Sequence, residues 1–155
     1  MKNVDLFRLR EGLNNVSNLK GVKFAYVVLK NKKIVEEEIE TLQKSIEMSE
    51  QFQEFERKRI GLCEQYSEKN KDGSPIIVNN AYNIPDREKF EIEVAGLKSQ
   101  YLDCVSERES QLREYDKLLK DDTDVLGKLS KININHIPDD ISATQLDSIK
   151  EIIED

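Results

Sequence analysis

Few side chains in this sequence carry the chemistry of a catalytic or metal-binding group, and their spacing excludes most such uses. His136 is the single histidine, so neither a histidine-based metal cluster nor a conventional nucleophile triad can be assembled within the chain. Next to Ile137-Pro138 it reads as a loop residue. Cys63 and Cys104 have neither metal-binding nor redox spacing. If two helices flank a turn with Asn70 opposite Asp86, Cys104 falls beside Phe52, about 16 Å from Cys63 at 1.5 Å per residue. That is beyond disulfide reach, and both are expected as small reduced residues on a packed seam. The Glu36-Glu37-Glu38 run with Glu40 reads as a solvated helix face. Asp121, Asp122 and Asp124 read as a helix end in a solvated loop rather than a cation site, because acids near a helix C-terminus oppose its dipole. There is no glycine-rich phosphate loop and no nucleophile elbow. The chain is expected to be non-enzymatic, with no metal, cofactor or small-molecule substrate.

The charge pattern points elsewhere. Of the 155 residues 35% are charged and 37% hydrophobic, with no tryptophan and a net charge of -7. Long helices sharing narrow apolar seams reconcile these figures, because each turn buries only one or two side chains. Residues 1–33 hold eight Lys/Arg and two acids, whereas the rest of the chain holds 16 and 29. A basic end on an acidic body suits docking on acidic helices of its own or another chain, or contact with nucleic-acid phosphate through Lys20, Lys23, Lys30, Lys32 and Lys33. Phe24 and Tyr26, which lie among these lysines, read as core rather than as bases' stacking partners. No apolar run is long enough to span a bilayer and no signal-peptide pattern opens the chain. A soluble, intracellular protein with no membrane partner is the expectation.

The positioning elements follow from periodicity. Leu6, Leu9, Leu13 and Val16 form one edge of a first helix capped by Asn3, weakened by Gly12 and ending near Ser17-Asn18. The run 24–29 fits either a strand or a buried helix. Without a turn before the next stripe, helix is the reading. Val35, Ile39, Leu42 and Ile46 continue it, after which the stripe restarts one residue early at Met48, Phe52, Phe55, Leu62 and Tyr66. Such a shift swings the apolar face by about 100° and predicts a break near Met48-Ser49-Glu50, with Ser49 as the new cap. Pro75–Val78, Asn79-Asn80 and Ala81–Ile84 read as a β-hairpin, since asparagine tolerates the positive φ of a two-residue turn. Pro75, Ile77, Tyr82 and Ile84 would share its apolar face. Phe90, Val94, Leu97, Tyr101, Val105, Leu112, Tyr115 and Leu119 then mark one return helix of about 50 Å. Arg108 and Gln111 interrupt its seam, loosening the pairing or setting its register. Lys131–Asn135 alternates like a strand, with the 75–84 hairpin or another chain as its partner. Ser142-Ala143-Thr144-Gln145 fits a capping box, with Ile141 and Leu146 as its staple, and Leu146, Ile149, Ile152 and Ile153 share one face of a last helix.

The predicted fold is therefore mainly α (α+β) and a single domain, 1–155. It has a basic segment 1–33, an antiparallel helical hairpin 34–122 with a β tip at 75–84, and a strand and capping helix over 123–155.

The succession Leu19–Tyr26, Lys30–Ile34, Phe52–Tyr66 with Glu56-Arg57-Lys58-Arg59-Ile60 at its centre, Lys71–Pro75, Tyr82–Phe90 and Ile137–Ile141 resembles a phage- and prophage-encoded family of small, mostly helical proteins of unknown function. It departs at Asn79-Asn80, where the family carries an acidic residue, and near Met48, where it carries a proline. The resemblance implies a viral accessory or assembly protein in the cytoplasm of the infected host cell, and transfers no catalytic residue. The expected function is protein–protein interaction with a viral or host partner, or self-association, through Ile77, Tyr82, Ile132 and Ile134. Nucleic-acid association through the five lysines is the alternative.

Overall fold

The computed structural model describes residues 1–154, and over them the chain is mainly α with two small two-stranded sheets. It divides into two compact units, Met1–Ile46 with Arg113–Asp155, and Glu47–Leu112. Of the 34–122 hairpin expected from the sequence, residues 47–112 form the second unit, whereas 34–46 and 113–122 both belong to the first.

In the first unit, α1 (Asp5–Val16) buries Leu6, Leu9, Leu13 and Val16, each no more than 2% exposed. Asn3 does not cap it. Val4 precedes the helix without a side-chain cap, and the Lys2 N–H donates to Asp5 Oδ2 at 2.8 Å. Asn3 is instead buried, its Nδ2 donating to the Leu118 carbonyl at 2.8 Å. The ambiguous 24–29 run is helical, part of α2 (Val22–Lys44). Phe24, Val28, Asn31, Val35, Ile39 and Leu42 form its buried face, at steps of three and four. This face, α1, Val125, Leu129, Ile132, Ile149 and Ile152 make one core, in which each fully buried aliphatic or aromatic side chain contributes about 1.5–3 kcal/mol. Asn31, fully buried on that apolar face, spends both ends of its amide on one residue: Nδ2 donates to the Ser130 carbonyl and Oδ1 accepts from the Ser130 N–H, both at 2.8 Å.

The C-terminal segment closes this core differently from expectation. The 131–135 strand shrinks to β3 (Ile132–Asn133), followed by a 3-10 turn over Ile134–His136 whose start is capped by the Asn133 side chain. Its partner is neither the hairpin nor another chain but the end of this one. The strand at Ile153–Glu154 pairs parallel to β3, with Ile132 opposite Ile153. The last helix (Ala143–Ser148) has the full capping box from Ser142 and Gln145. It stops before Ile149, which links it to a 3-10 turn (Lys150–Ile152) that carries Ile152, and Ile153 lies in that strand.

In the second unit, α3 (Glu50–Tyr66) starts where the stripe shift predicts. α2 ends at Lys44 and Ser49 Oγ accepts the Phe52 N–H at 3.2 Å. The two offset stripes therefore serve two helices with different partners. Ser49→Ala is expected to remove about 1 kcal/mol, read as faster amide exchange in the first turn of α3. β1 (Ile77–Val78) and β2 (Ala81–Tyr82) pair Ile77 with Tyr82 across Asn79-Asn80, whose φ values of 51° and 61° are those of the expected turn. The return is two helices, α4 (Arg87–Gln100) and α5 (Leu102–Lys120), separated at Tyr101 with φ -118° and ψ 23°. Its seam meets α3 where expected. The Phe55 and Tyr101 ring centroids are 5.9 Å apart, those of Tyr66 and Phe90 are 6.0 Å apart, and Phe52, Phe55, Cys104 and Val105 share a small core. The polar residues that interrupt the seam bond to each other and to backbone. Arg108 Nη1 donates to Gln111 Oε1 at 2.7 Å, and Gln111 Nε2 donates to the Glu47 carbonyl at 3.1 Å.

Candidate interaction surfaces

Cys63 and Cys104 are free and buried. Cys104 Sγ donates to the Tyr101 carbonyl at 3.2 Å, which leaves its sulfur engaged with backbone rather than with a base. It borders a cavity of about 260 Å³ with Phe52, Arg108 and Gln111, where the Arg108 guanidinium lies 5.7 Å from the Phe52 ring centroid. Among the described residues no group of three His, Cys, Asp or Glu side chains could hold a metal ion.

The best-formed polar cluster ties α3 to the α4–α5 junction. Lys58 Nζ donates to the Tyr101 hydroxyl at 2.6 Å, that hydroxyl donates to Glu54 Oε1 at 2.8 Å, and Lys58 and Glu54 pair directly at 2.9 Å. Hydrogen bonds from Lys58 first and Tyr101 second hold the Glu54 carboxyl below its usual range. Because folding lowers this pKa, its stabilising contribution is complete above the unfolded carboxylate value of about 4.3. It is lost as pH falls through the depressed folded value. Solvent exposure keeps the effect small. NMR titration of carboxyl carbons is expected to show Glu54 protonating at a lower pH than in Tyr101→Phe, which removes one of its two donors. The cluster is solvent-accessible and links α3 to the α4–α5 junction.

The residues singled out for docking separate on folding. Ile77 is 59% exposed and Val78 53%, at the β tip, whereas Tyr82 is half-buried. The tip is held on the chain leaving α3 by Glu68, which accepts the Ile76 N–H and donates its own N–H to the Asn83 carbonyl, both at 2.8 Å. Ile132 is only 3% exposed, because its strand is covered by the first unit's core, so it offers no docking surface. Ile134 stays half exposed at 50% in the adjacent turn. The four candidates thus split between the two units, and only Ile77 and Ile134 present substantial apolar surface.

Three of the lysines have named partners. Lys23 Nζ lies 2.9 Å from His136 Nε2, and Lys32 and Lys33 each sit 3.8 Å from Glu36 and Glu37 one turn on. Such exposed pairs contribute little. Phe24 is core, as expected, but Tyr26 is not, being 68% exposed. Compared with known protein families, characterised proteins and solved structures, the chain matches none.

What sequence reasoning missed is the second apolar edge of α2. Val22, Tyr26 and Leu29 are 89%, 68% and 69% exposed, and at steps of four and three they line up on the side of the helix away from Phe24, Val28 and Asn31. Tyr26, Leu29 and Ile34 floor an open groove of about 640 Å³ rimmed by Lys30, Lys33 and Glu37. The signal was present in the six-residue apolar run, which is too apolar for a helix buried on one face only.

Proposed function

We propose that this chain is a non-enzymatic interaction module, a viral accessory or assembly protein that docks onto a viral or host protein in the infected cell. The observation that carries the docking reading is the row Val22, Tyr26 and Leu29, left in solvent on a helix whose other face is already fully packed. Isolated exposed apolar residues are ordinary, whereas three in register on one helix edge mark a surface for another element. The viral setting follows from the family resemblance of the sequence. Among the described residues no helix is long and apolar enough to cross a membrane.

A photo-crosslinking residue at position 29, in the full chain expressed during infection, is expected to give a discrete adduct. The same residue at exposed Asn14, on α1, is expected to give none. Absence of an adduct at 29, or equal labelling at both positions, overturns the reading.

Nucleic-acid association is the second reading, and one observation favours it: Tyr26 is exposed between Lys23 and Lys30, where an aromatic ring could stack on a base. Binding to an oligonucleotide that weakens steeply with added salt would support it, and salt-independent binding would exclude the phosphate mechanism.

A further inference from the structure

We infer that the outward edge of α2 receives an acidic amphipathic helix of a partner protein. Val22, Tyr26 and Leu29 meet its apolar stripe, and Lys30 and Lys33 meet its carboxylates. The inference rests on the docking reading above and names the chemistry of the partner.

Three features lead to it. Steps of four and three are the spacing one helix presents to another along a shared seam. The groove is open rather than enclosed, and it is lined by apolar Tyr26, Leu29 and Ile34 together with charged Lys30, Lys33 and Glu37. Finally, residues 12–35 contain five lysines and no carboxylate, so positive charge is in surplus along the apolar edge up to Glu37 at the groove's rim, which favours acidic partners over basic ones.

Other occupants fit less well. A second copy aligned so that Tyr26 meets its counterpart's Leu29 would bring together the lysines of both chains. Sliding that copy until Lys30 and Lys33 face its Glu37 and Glu40 would separate the apolar residues. An anionic membrane is an extended negative surface that would be repelled by a molecule of net charge -7, whose acids lie mostly beyond residue 33. A helix meets the edge alone. A nucleic-acid strand could stack on Tyr26 but gains nothing from covering Val22 and Leu29.

The test uses the full chain and a fluorescent synthetic helix with leucines at alternating three- and four-residue steps and glutamates on its flanks. Its controls are the same helix with lysines for glutamates, vesicles of phosphatidylcholine with phosphatidylglycerol, and an oligothymidylate. Saturable binding of the acidic helix is expected, weakened about tenfold or more by Leu29→Ser or Tyr26→Ser. Lys30→Glu with Lys33→Glu is expected to exchange the preference for the lysine-flanked helix. All four positions are outside the core, so the far-ultraviolet circular dichroism and thermal melting of each variant are expected to match the parent's. No binding of the acidic helix, binding indifferent to these variants, or tighter binding of vesicles or oligothymidylate overturns the inference. An adduct at position 29 without binding of the acidic helix sinks the inference and leaves the docking reading standing. Loss of the adduct sinks both.

Discussion

Gly12→Ala is expected to destabilise the first unit by about 2–3 kcal/mol, while the same exchange at Gly61 or Gly96 is expected to stabilise the second by about 0.5–1 kcal/mol. All three glycines lie inside helices, where alanine is intrinsically better because it restricts the unfolded chain and shields the backbone. The difference is what a methyl group would meet. At Gly61 and Gly96 nothing lies within 4 Å, whereas at Gly12 a Cβ would sit 2.3 Å from the Ser148 carbonyl oxygen and 2.9 Å from its carbon. Those are backbone atoms at the end of the last helix, which cannot rotate aside as a side chain could. The helix would have to move off α1, loosening the Arg8–Asp147 ion pair and the Gln145 hydrogen bond to the Asn15 carbonyl. Urea denaturation followed by circular dichroism, with hydrogen exchange in α1 and Ala143–Ser148, reads the sign directly. Stabilisation by alanine at all three sites would show that the close approach does not exist in solution.

Asn31→Leu is expected to remove about 2–4 kcal/mol, despite placing an apolar side chain on an apolar face. The amide satisfies both the N–H and the C=O of Ser130, and losing it leaves a part-buried donor and acceptor unpaired, at about 1–3 kcal/mol each. Because Ser130 lies just before β3, the loss is expected to spread into its pairing with Ile153 and appear as faster exchange there. Asn31→Asp separates hydrogen bonding from packing. A carboxylate can still accept from the Ser130 N–H, but it faces the Ser130 carbonyl with a second acceptor at a position where the side chain is fully buried. Burial raises the folded pKa of such a carboxyl. The deficit is therefore complete at neutral pH and shrinks as pH falls through that raised value, where the protonated group can donate again. Equal stability of Asn31→Asp at neutral and acid pH would show that Asn31 is not sealed as described.

The candidate surface was half legible. Val22, Tyr26 and Leu29 lie in a stretch whose apolar character is evident, but which members face outward depends on where the rest of the first unit packs, and its core takes Phe24 and Val28 while Ser130 takes Asn31. Ile132 fails as a docking residue for the same reason. An alternating strand pattern marks one face as apolar without saying that the first unit's core will cover it or that Ile153, twenty-one positions on, will pair beside it.

What the sequence determined by itself was local. The stripes of α1 and α3, the Ser49 cap at the stripe shift, the Asn79-Asn80 turn and the Ser142–Gln145 box each depend on side chains within a few residues reaching their own backbone or sharing one helix edge. Tertiary structure alone decided the rest. It turned Gly12 from a weak point into a contact, placed a polar Asn31 in the core, split the return helix at Tyr101 where Glu54 and Lys58 grip the hydroxyl, and gave β3 the chain's own end. Each of these depends on backbone or side chains remote in sequence arriving at one place, which residue order and periodicity do not encode.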